Sequence, residues 1–259
     1  MTGFKYNYKL VIAYDGTQYS GWQIQPNATS IQAIVQETIK IIIRQEVVVV
    51  GSGRTDAGVH ALGQVAHFKC DIDIDPHRFF ASINGLLPFD IRVLHIERTS
   101  LNFHAQHNAI SKTYHYHLCL ERVQSPFRRL YSLHAHYALN IPLLKQAAAL
   151  FIGTHDFTSF TNEAHKGCAA QDPVRTLQRL DVVPEEGGVR LEFQANGFLY
   201  KMVRTIVGTL LDVSCGKRQI DEISKIFKAT DRRCAGQAAP AHGLFLMEVN
   251  YAGMSDKEG

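Results

Sequence analysis

The segment Lys112–Leu120 alternates residue by residue between two kinds of side chain. Tyr114, Tyr116 and Leu118 fall on one side and His115, His117 and Cys119 on the other, because successive residues of a strand point to opposite faces. This period of two commits the middle of the chain to a sheet, and the flanking patterns say what accompanies it. The first hundred residues read as strand, loop, helix, strand, loop, strand, helix, strand. Tyr8–Tyr14 is rich in β-formers and stops at Asp15-Gly16, a turn dipeptide, and Ser30 is placed to cap a helix carrying Ile31, Ile34, Val35, Thr38 and Ile39 at helical spacing. Val47–Val50 and Gln64–Lys69 read as short strands either side of a glycine-rich loop, and Asp75-Pro76 opens a second helix that runs to Leu87 and is closed by Pro88.

The second half repeats this rhythm loosely. Pro142 stands at an early position of a helix starting at Ile141, and Thr176–Val183 and Gly188–Ala195 form a hairpin pattern. Phe198–Val213 carries Val203, Ile206, Val207 and Leu210 on one helical stripe, Ile220–Lys228 is a shorter helix, and Leu244–Tyr251 is a last strand. The expectation is an α+β fold of two pseudo-duplicated α/β subdomains, residues 1–108 and 109–259. Their mainly antiparallel sheets would join side by side, with helices on one face and a catalytic cleft on the other.

Composition narrows the class. Apolar residues make up 46% and charged residues 20%, ordinary globular usage that excludes disorder and coiled coil for the bulk of the chain. No apolar run approaches the ~20 residues of a membrane helix. The start, Met1-Thr2-Gly3-Phe4-Lys5, reaches charge at once, so an untargeted protein of the cytoplasm is expected, with no membrane partner. Cys70, Cys119, Cys168, Cys215 and Cys234 are scattered with no C-x-x-C pair, which argues for a reducing compartment and against a zinc ribbon. The net charge of +3 is unevenly spread. Arg98, Lys112, Arg122, Arg128 and Arg129 cluster in one stretch, and Lys201, Arg204, Lys217, Arg218, Lys225, Lys228, Arg232 and Arg233 in another. Folded onto one face, these would make a footprint for a polyanion; apart, they are solvated charge.

The densest chemical signal is Gly51-Ser52-Gly53-Arg54-Thr55-Asp56-Ala57-Gly58-Val59-His60, set between two apolar strands. It fits neither phosphate-binding glycine pattern, so a nucleotide cofactor is not expected. Arg54 and Asp56 could pair, keeping the carboxylate ionised as a nucleophile requires; equally, Asp56 could bond its own loop amides, as turns commonly allow. Two H-x-H pairs, His115/His117 and His134/His136, lack a cysteine or acidic partner at ligand spacing, and no metal site is expected. Lys201 and Arg204, three apart on the expected long helix, would project together, and Gly208 one turn on would let another segment approach closely.

From Gly53 to Ala61 the sequence resembles the signature of the TruA family of tRNA pseudouridine synthases, and the likeness extends across nearly the whole chain. Tyr14-Asp15-Gly16-Thr17, Tyr19-Ser20-Gly21-Trp22-Gln23, Phe103-His104-Ala105 and Lys112-Thr113-Tyr114-His115-Tyr116 are similar to family blocks. So are His155–Phe160, Val174-Arg175-Thr176, Phe198-Leu199-Tyr200, Met202-Val203-Arg204 and Ala239–Leu244, in the family's order. Gln106, Lys201 and Thr205 depart from it, standing where arginine, histidine and asparagine are common. The resemblance implies an isomerase, an intramolecular transferase, that converts uridine to pseudouridine at positions 38, 39 and 40 of the anticodon stem-loop. Asp56 would be the nucleophile, Tyr114 would stack on the flipped uracil, and Arg54 and Arg204 would support the site. His60, Gln64, Phe103 and Lys201 would join Tyr114, Arg54 and Arg204 in touching substrate. A homodimer sharing tRNA is implied. The chemistry involves no redox change and no group donor, so no cofactor is expected. A non-catalytic RNA-binding protein would need the basic faces and tyrosines but not Asp56. A glycoside hydrolase would need a second carboxylate, which nothing in the loop marks.

Overall fold

The computed structural model describes residues 3–161 and 172–252, which fall into two compact units. The first comprises the chain up to Ile110 together with the segment from Phe245 onward; the second is Ser111–Leu244. The strand Leu244–Tyr251, grouped with the second subdomain on sequence order, thus belongs almost wholly to the first unit, because its hydrogen-bonding partner there is a strand of that unit.

In the first unit β1 (Tyr6–Tyr14), β2 (Val50–Gly51), β3 (His60–Cys70) and β4 (Ile91–Thr99) alternate with α1 (Ile31–Ile43) and α2 (Pro76–Leu86). β1 lies between β4 and β3, antiparallel to both, and β10 (Leu244–Tyr251) runs parallel to β3 on its other side. Ser30 caps α1 by accepting the Ala33 N–H, and Asp75 caps α2 by accepting from His77 and Arg78 ahead of Pro76, as their types and positions require. Even-numbered residues of β1 (Tyr8, Leu10, Ile12) are wholly buried. Tyr8 stacks on Phe68 of β3 and Phe68 on Phe79 of α2, so α2 covers this side of the sheet. Lys9 is on the other face, paired with Glu97 at 3.0 Å beneath the rings of Phe103 and Tyr251. Of the expected 47–50 strand only Val50 joins the sheet, together with Gly51, whereas the strand after the glycine-rich loop starts earlier than expected, at His60.

The second unit contains β5 (Ala109–Cys119), β6 (Leu133–His134), β7 (Gly153–Asp156), β8 (Val174–Glu185) and β9 (Gly188–Ala195). Its helices are α3 (Ile141–Ala149), α4 (Met202–Ser214) and α5 (Glu222–Ala229). The strands run β5-β9-β8-β7, antiparallel throughout, with β6 parallel to the end of β5. The alternation that opened the sequence reading is realised: Tyr114, Tyr116 and Leu118 are buried. On the opposite face His117 Nδ1 is hydrogen-bonded to Glu185 at 2.9 Å, and Arg179 and Arg190 pair with Glu192 at 3.2 and 2.7 Å. Phe151, Phe157 and Phe160 fill the core beneath α5, whose Phe227 meets all three within 5.4 Å. Cys70, Cys119, Cys215 and Cys234 are free thiols; Cys168 lies outside the described residues.

Candidate active site

The register of the first unit's sheet places three segments at one end. Tyr14, the last residue of β1, sits opposite Ala61 near the start of β3 and opposite Ile91 at the start of β4. The loop after β1, the glycine-rich loop before β3 and the turn before β4 therefore emerge together. The glycine-rich loop is fixed from beneath. The Ser52 N–H donates to Val65 O at 2.7 Å and its hydroxyl to Gln64 Oε1 at 2.8 Å, while Gln64 Nε2 donates to Gly53 O at 3.0 Å. The Tyr14 hydroxyl is 2.8 Å from Thr55 Oγ1. Burial pushes the Tyr14 phenol up to about 12, against the opposing pull of Thr55 and Gln64, so the hydroxyl keeps its proton.

The loop after β1 holds the other side. The Trp22 N–H donates to Thr55 O at 3.1 Å, and Gly58 N–H to Tyr19 O at 3.3 Å. The Val59 N–H donates to Asp56 O at 3.1 Å and closes the turn that carries Asp56. These two loops touch so closely that a side chain has no room between them: a Cβ on Gly21, whose φ is +89°, would stand 2.4 Å from Thr55 O. The result is a half-buried carboxylate, Asp56, on a turn anchored to both neighbouring segments.

Arg54 is exposed, and its Nε donates to Gln23 Oε1 at 3.1 Å, a contact with the loop after β1. His60 and Gln64 were expected at the substrate, yet they are 1% and 0% exposed. His60 Nδ1 accepts the Gly16 N–H at 3.1 Å, and its ring stacks on Phe245 at 4.6 Å. Both side chains are thus turned into the protein, Gln64 against the glycine-rich loop and His60 against the turn after β1. Phe103 is half-buried, packed at 5.2 Å on Tyr251 and edge-on to His67. Burial lowers the His67 imidazole to about 4, and its Nδ1 accepts the Ala105 N–H.

In the second unit, Tyr114 is 7% exposed and meets the edge of Phe198 at 5.0 Å. Arg204 is tied twice to one residue: its Nε donates to Ala239 O at 2.7 Å, and the Ala239 N–H donates to its own carbonyl at 2.9 Å. Gly208 admits that segment, since a Cβ there would stand 1.7 Å from Gln237 O. The helix expected from Phe198 begins instead at Met202. Lys201 adopts a left-handed conformation (φ 57°) ahead of it, after a tight turn in which the Met202 N–H donates to Leu199 O. Lys201 is thus the N-cap residue, its carbonyl accepting the Thr205 N–H, and its Nζ lies 5.1 Å over the Tyr200 ring. Of the departures from the family pattern, Gln106 is exposed, while Thr205 is wholly buried and its hydroxyl has no hydrogen-bond partner among the described residues.

Lys112, counted above only as one of a basic stretch, lies two residues before Tyr114 on the same face of β5. Burial, aided by the charge of Arg175, lowers its ammonium to about 8. The signal was available, since a lysine in phase with two tyrosines on a buried face is costly unless it has work to do.

An antiparallel α+β scaffold that fixes one aspartate on a glycine-rich loop is a framework for covalent or electrostatic catalysis by a carboxylate. A model of the tRNA pseudouridine synthase family matches residues 10–108 and 147–252. The chain is 62% identical over 245 residues to tRNA pseudouridine synthase A 1 of Protochlamydia amoebophila, covering 94% of this chain and 96% of that protein. It is 42% identical to tRNA pseudouridine synthase A of Exiguobacterium sp. over 94% of this chain and 97% of the relative. For the Bacillus subtilis protein of that name the identity is 41%, with 94% and 98% covered. The chain belongs to the tRNA pseudouridine synthase family.

Proposed function

We propose that the chain isomerises uridine to pseudouridine at positions 38, 39 and 40 of the tRNA anticodon stem-loop, with Asp56 as nucleophile. The observation that supports this reading is the half-buried carboxylate on a fixed loop: Asp56 sits on a turn closed by its own carbonyl and bonded through its backbone to the loop after β1. The reaction breaks the bond from ribose C1′ to uracil N1 and forms one from C1′ to C5. N1 ends protonated and C5 loses its proton, so the formula is unchanged and no electron donor, acceptor or transferable group is consumed. Asp56 starts the detachment, and the rigidity of its loop serves by presenting the carboxylate in one orientation.

Tyr114 offers a ring to the extruded uracil and a hydroxyl for the proton leaving C5. Extrusion costs a few kcal/mol, which stacking on the ring and phosphate contacts from Arg54, Arg204, Lys201 and the basic segments offset. Phe103 belongs to the same substrate surface, and a homodimer in the cytoplasm shares the tRNA between subunits. The test is Asp56→Asn, which keeps shape and hydrogen-bonding capacity and removes the charge. It should fold and bind tRNA nearly as tightly as wild type while losing at least ~10⁴-fold in single-turnover rate, the scale of a deleted covalent nucleophile. Tritium release from C5-labelled uridine reads the rate, beside a filter-binding titration. Activity within about tenfold of wild type places the nucleophile elsewhere.

A further inference from the structure

Phe89 is 96% exposed, the most exposed large apolar side chain among the described residues. It sits in the turn between α2 and β4, and that turn is firmly held. The Ile91 N–H donates to Pro88 O at 3.1 Å. Asp90, its neighbour, accepts the Asp15 N–H at its carbonyl (2.9 Å) and the Tyr19 hydroxyl at Oδ1 (2.6 Å). Tyr19 in turn accepts the Gly58 N–H from the turn that carries Asp56. A short chain of hydrogen bonds therefore links the backbone at Phe89 to the reactive loop.

Strand register gives the same placement independently. Ile91 and Ala61 both face Tyr14, one on each side of β1. With neighbouring strands ~4.8 Å apart, the start of β4 stands roughly 10 Å from the start of β3, on the same end of the sheet. The ring also has company of one charge. The Arg92 guanidinium stands 5.1 Å over it, immobilised by donating through Nη1 to Leu87 O, Pro88 O and Ile91 O. Because the ring remains almost fully exposed with that cation over it, its other face is open to solvent.

A flat apolar surface beside a fixed positive charge matches the two parts of a nucleotide, a base with a π-face and a phosphate. We propose that Phe89 is a stacking platform for an unpaired base of the anticodon arm near the uridine taken to Asp56, with Arg92 supplying the adjoining positive charge. The proposal rests on the reading of the chain as a tRNA-modifying enzyme and adds to it a contact outside the shared motifs. An apolar projection could instead seat in a second copy of the chain, and the experiment separates these.

The substitutions are Phe89→Ala and Phe89→Trp, assayed with an anticodon stem-loop RNA. F89A should weaken binding at least fivefold and raise KM for the RNA accordingly, with the thermal midpoint unmoved, because the ring makes no core contact. F89W should restore affinity, and its indole emission should be quenched on adding RNA. The readout is clean, since the only tryptophan of the chain, Trp22, is 1% exposed. Unchanged RNA affinity in F89A, or indole emission indifferent to RNA, overturns the proposal. So does a shift of oligomeric state in F89A by light scattering, which would assign Phe89 to a contact between copies. Carbodiimide labelling of the RNA after incubation with wild type tests the catalytic reading separately: RNA that binds through Phe89 yet gains no pseudouridine would refute that reading and leave the platform standing.

Discussion

Gln64 should be the residue on which the reactive loop depends most, and replacing it by leucine tests this. The side chain is 0% exposed, and its amide reaches two groups: it accepts from the Ser52 hydroxyl and donates to Gly53 O. Leucine has similar bulk and no polar atom, so packing is nearly kept while both partners lose a bond. The Ser52 hydroxyl and the Gly53 carbonyl each lose a bond in a buried setting, at about 1–3 kcal/mol apiece. Q64L should therefore lose about 3 kcal/mol, which leaves a domain of ordinary stability folded.

The catalytic cost follows from position. Gly53 lies three residues before Asp56, and a shift of about 1 Å at a reacting group can cost 10²-fold. The turnover number should fall ten- to a hundredfold with a smaller change in KM, since Gln64 has no surface for substrate to touch. Urea unfolding reads the stability, and single-turnover pseudouridine formation reads the chemistry. Ser52→Ala completes a double-mutant cycle, and because the two side chains share a bond, their effects should fall short of additive by about 1 kcal/mol. Additive losses, or a Q64L rate equal to wild type despite lost stability, would show that the network supports the fold and does not aim the carboxylate.

Lys112 gives a pH signature: its folded-state value near 8 lies below the 10.5 of an exposed lysine, so between those values the unfolded chain holds a proton that the folded chain has released. Stability should accordingly rise with pH across that window, by on the order of 3 kcal/mol, and Lys112→Met should flatten the rise in urea titrations run from pH 7 to 10.5; equal slopes in both proteins would show that Lys112 is not desolvated. Gly21→Ala combines a positive φ with a Cβ 2.4 Å from Thr55 O, and it should cost about 2 kcal/mol or more and depress activity in the folded fraction, because the backbone that must yield is that of the reactive loop. A G21A protein that melts with wild type would mean the two loops separate at no cost.

Much of this was legible in the sequence for identifiable reasons. Period two fixed β5, and capping chemistry at Ser30 and Asp75 marked both helix starts, since such signals act within a few residues. The aspartate was visible because glycines concentrated around it. What was hidden depended on contacts remote in sequence. The motif containing His60 and Gln64 gives no hint that both side chains turn inward, because that depends on what packs over the faces of β3, which lies remote in sequence. Arg54 stands two residues from Asp56, yet Gln23 of another loop takes its Nε. The start of α4 was misplaced because the apolar stripe continues back through Leu199, whereas the backbone reverses hand at Lys201, a property periodicity does not register.

The parallel pairing of β10 with β3 has a consequence for how the enzyme is made. Phe245 and Leu246 lie against His60 and Ala61, where the reactive loop enters the sheet, and the Tyr251 hydroxyl holds Ala105. The whole second unit is translated between these partners. A ribosome that has delivered Asp56, its loop and all of β3 has thus delivered a β3 whose stretch at His60 and Ala61 still lacks β10, with β2 paired only at Ala66 and His67. That stretch meets its partner only when nearly the last described residues emerge. Such long-range closure slows folding and leaves an unpaired strand available to other nascent chains meanwhile. A product that stops anywhere short of β10 carries Asp56 and its loop but lacks the strand that pairs with β3 where that loop enters the sheet.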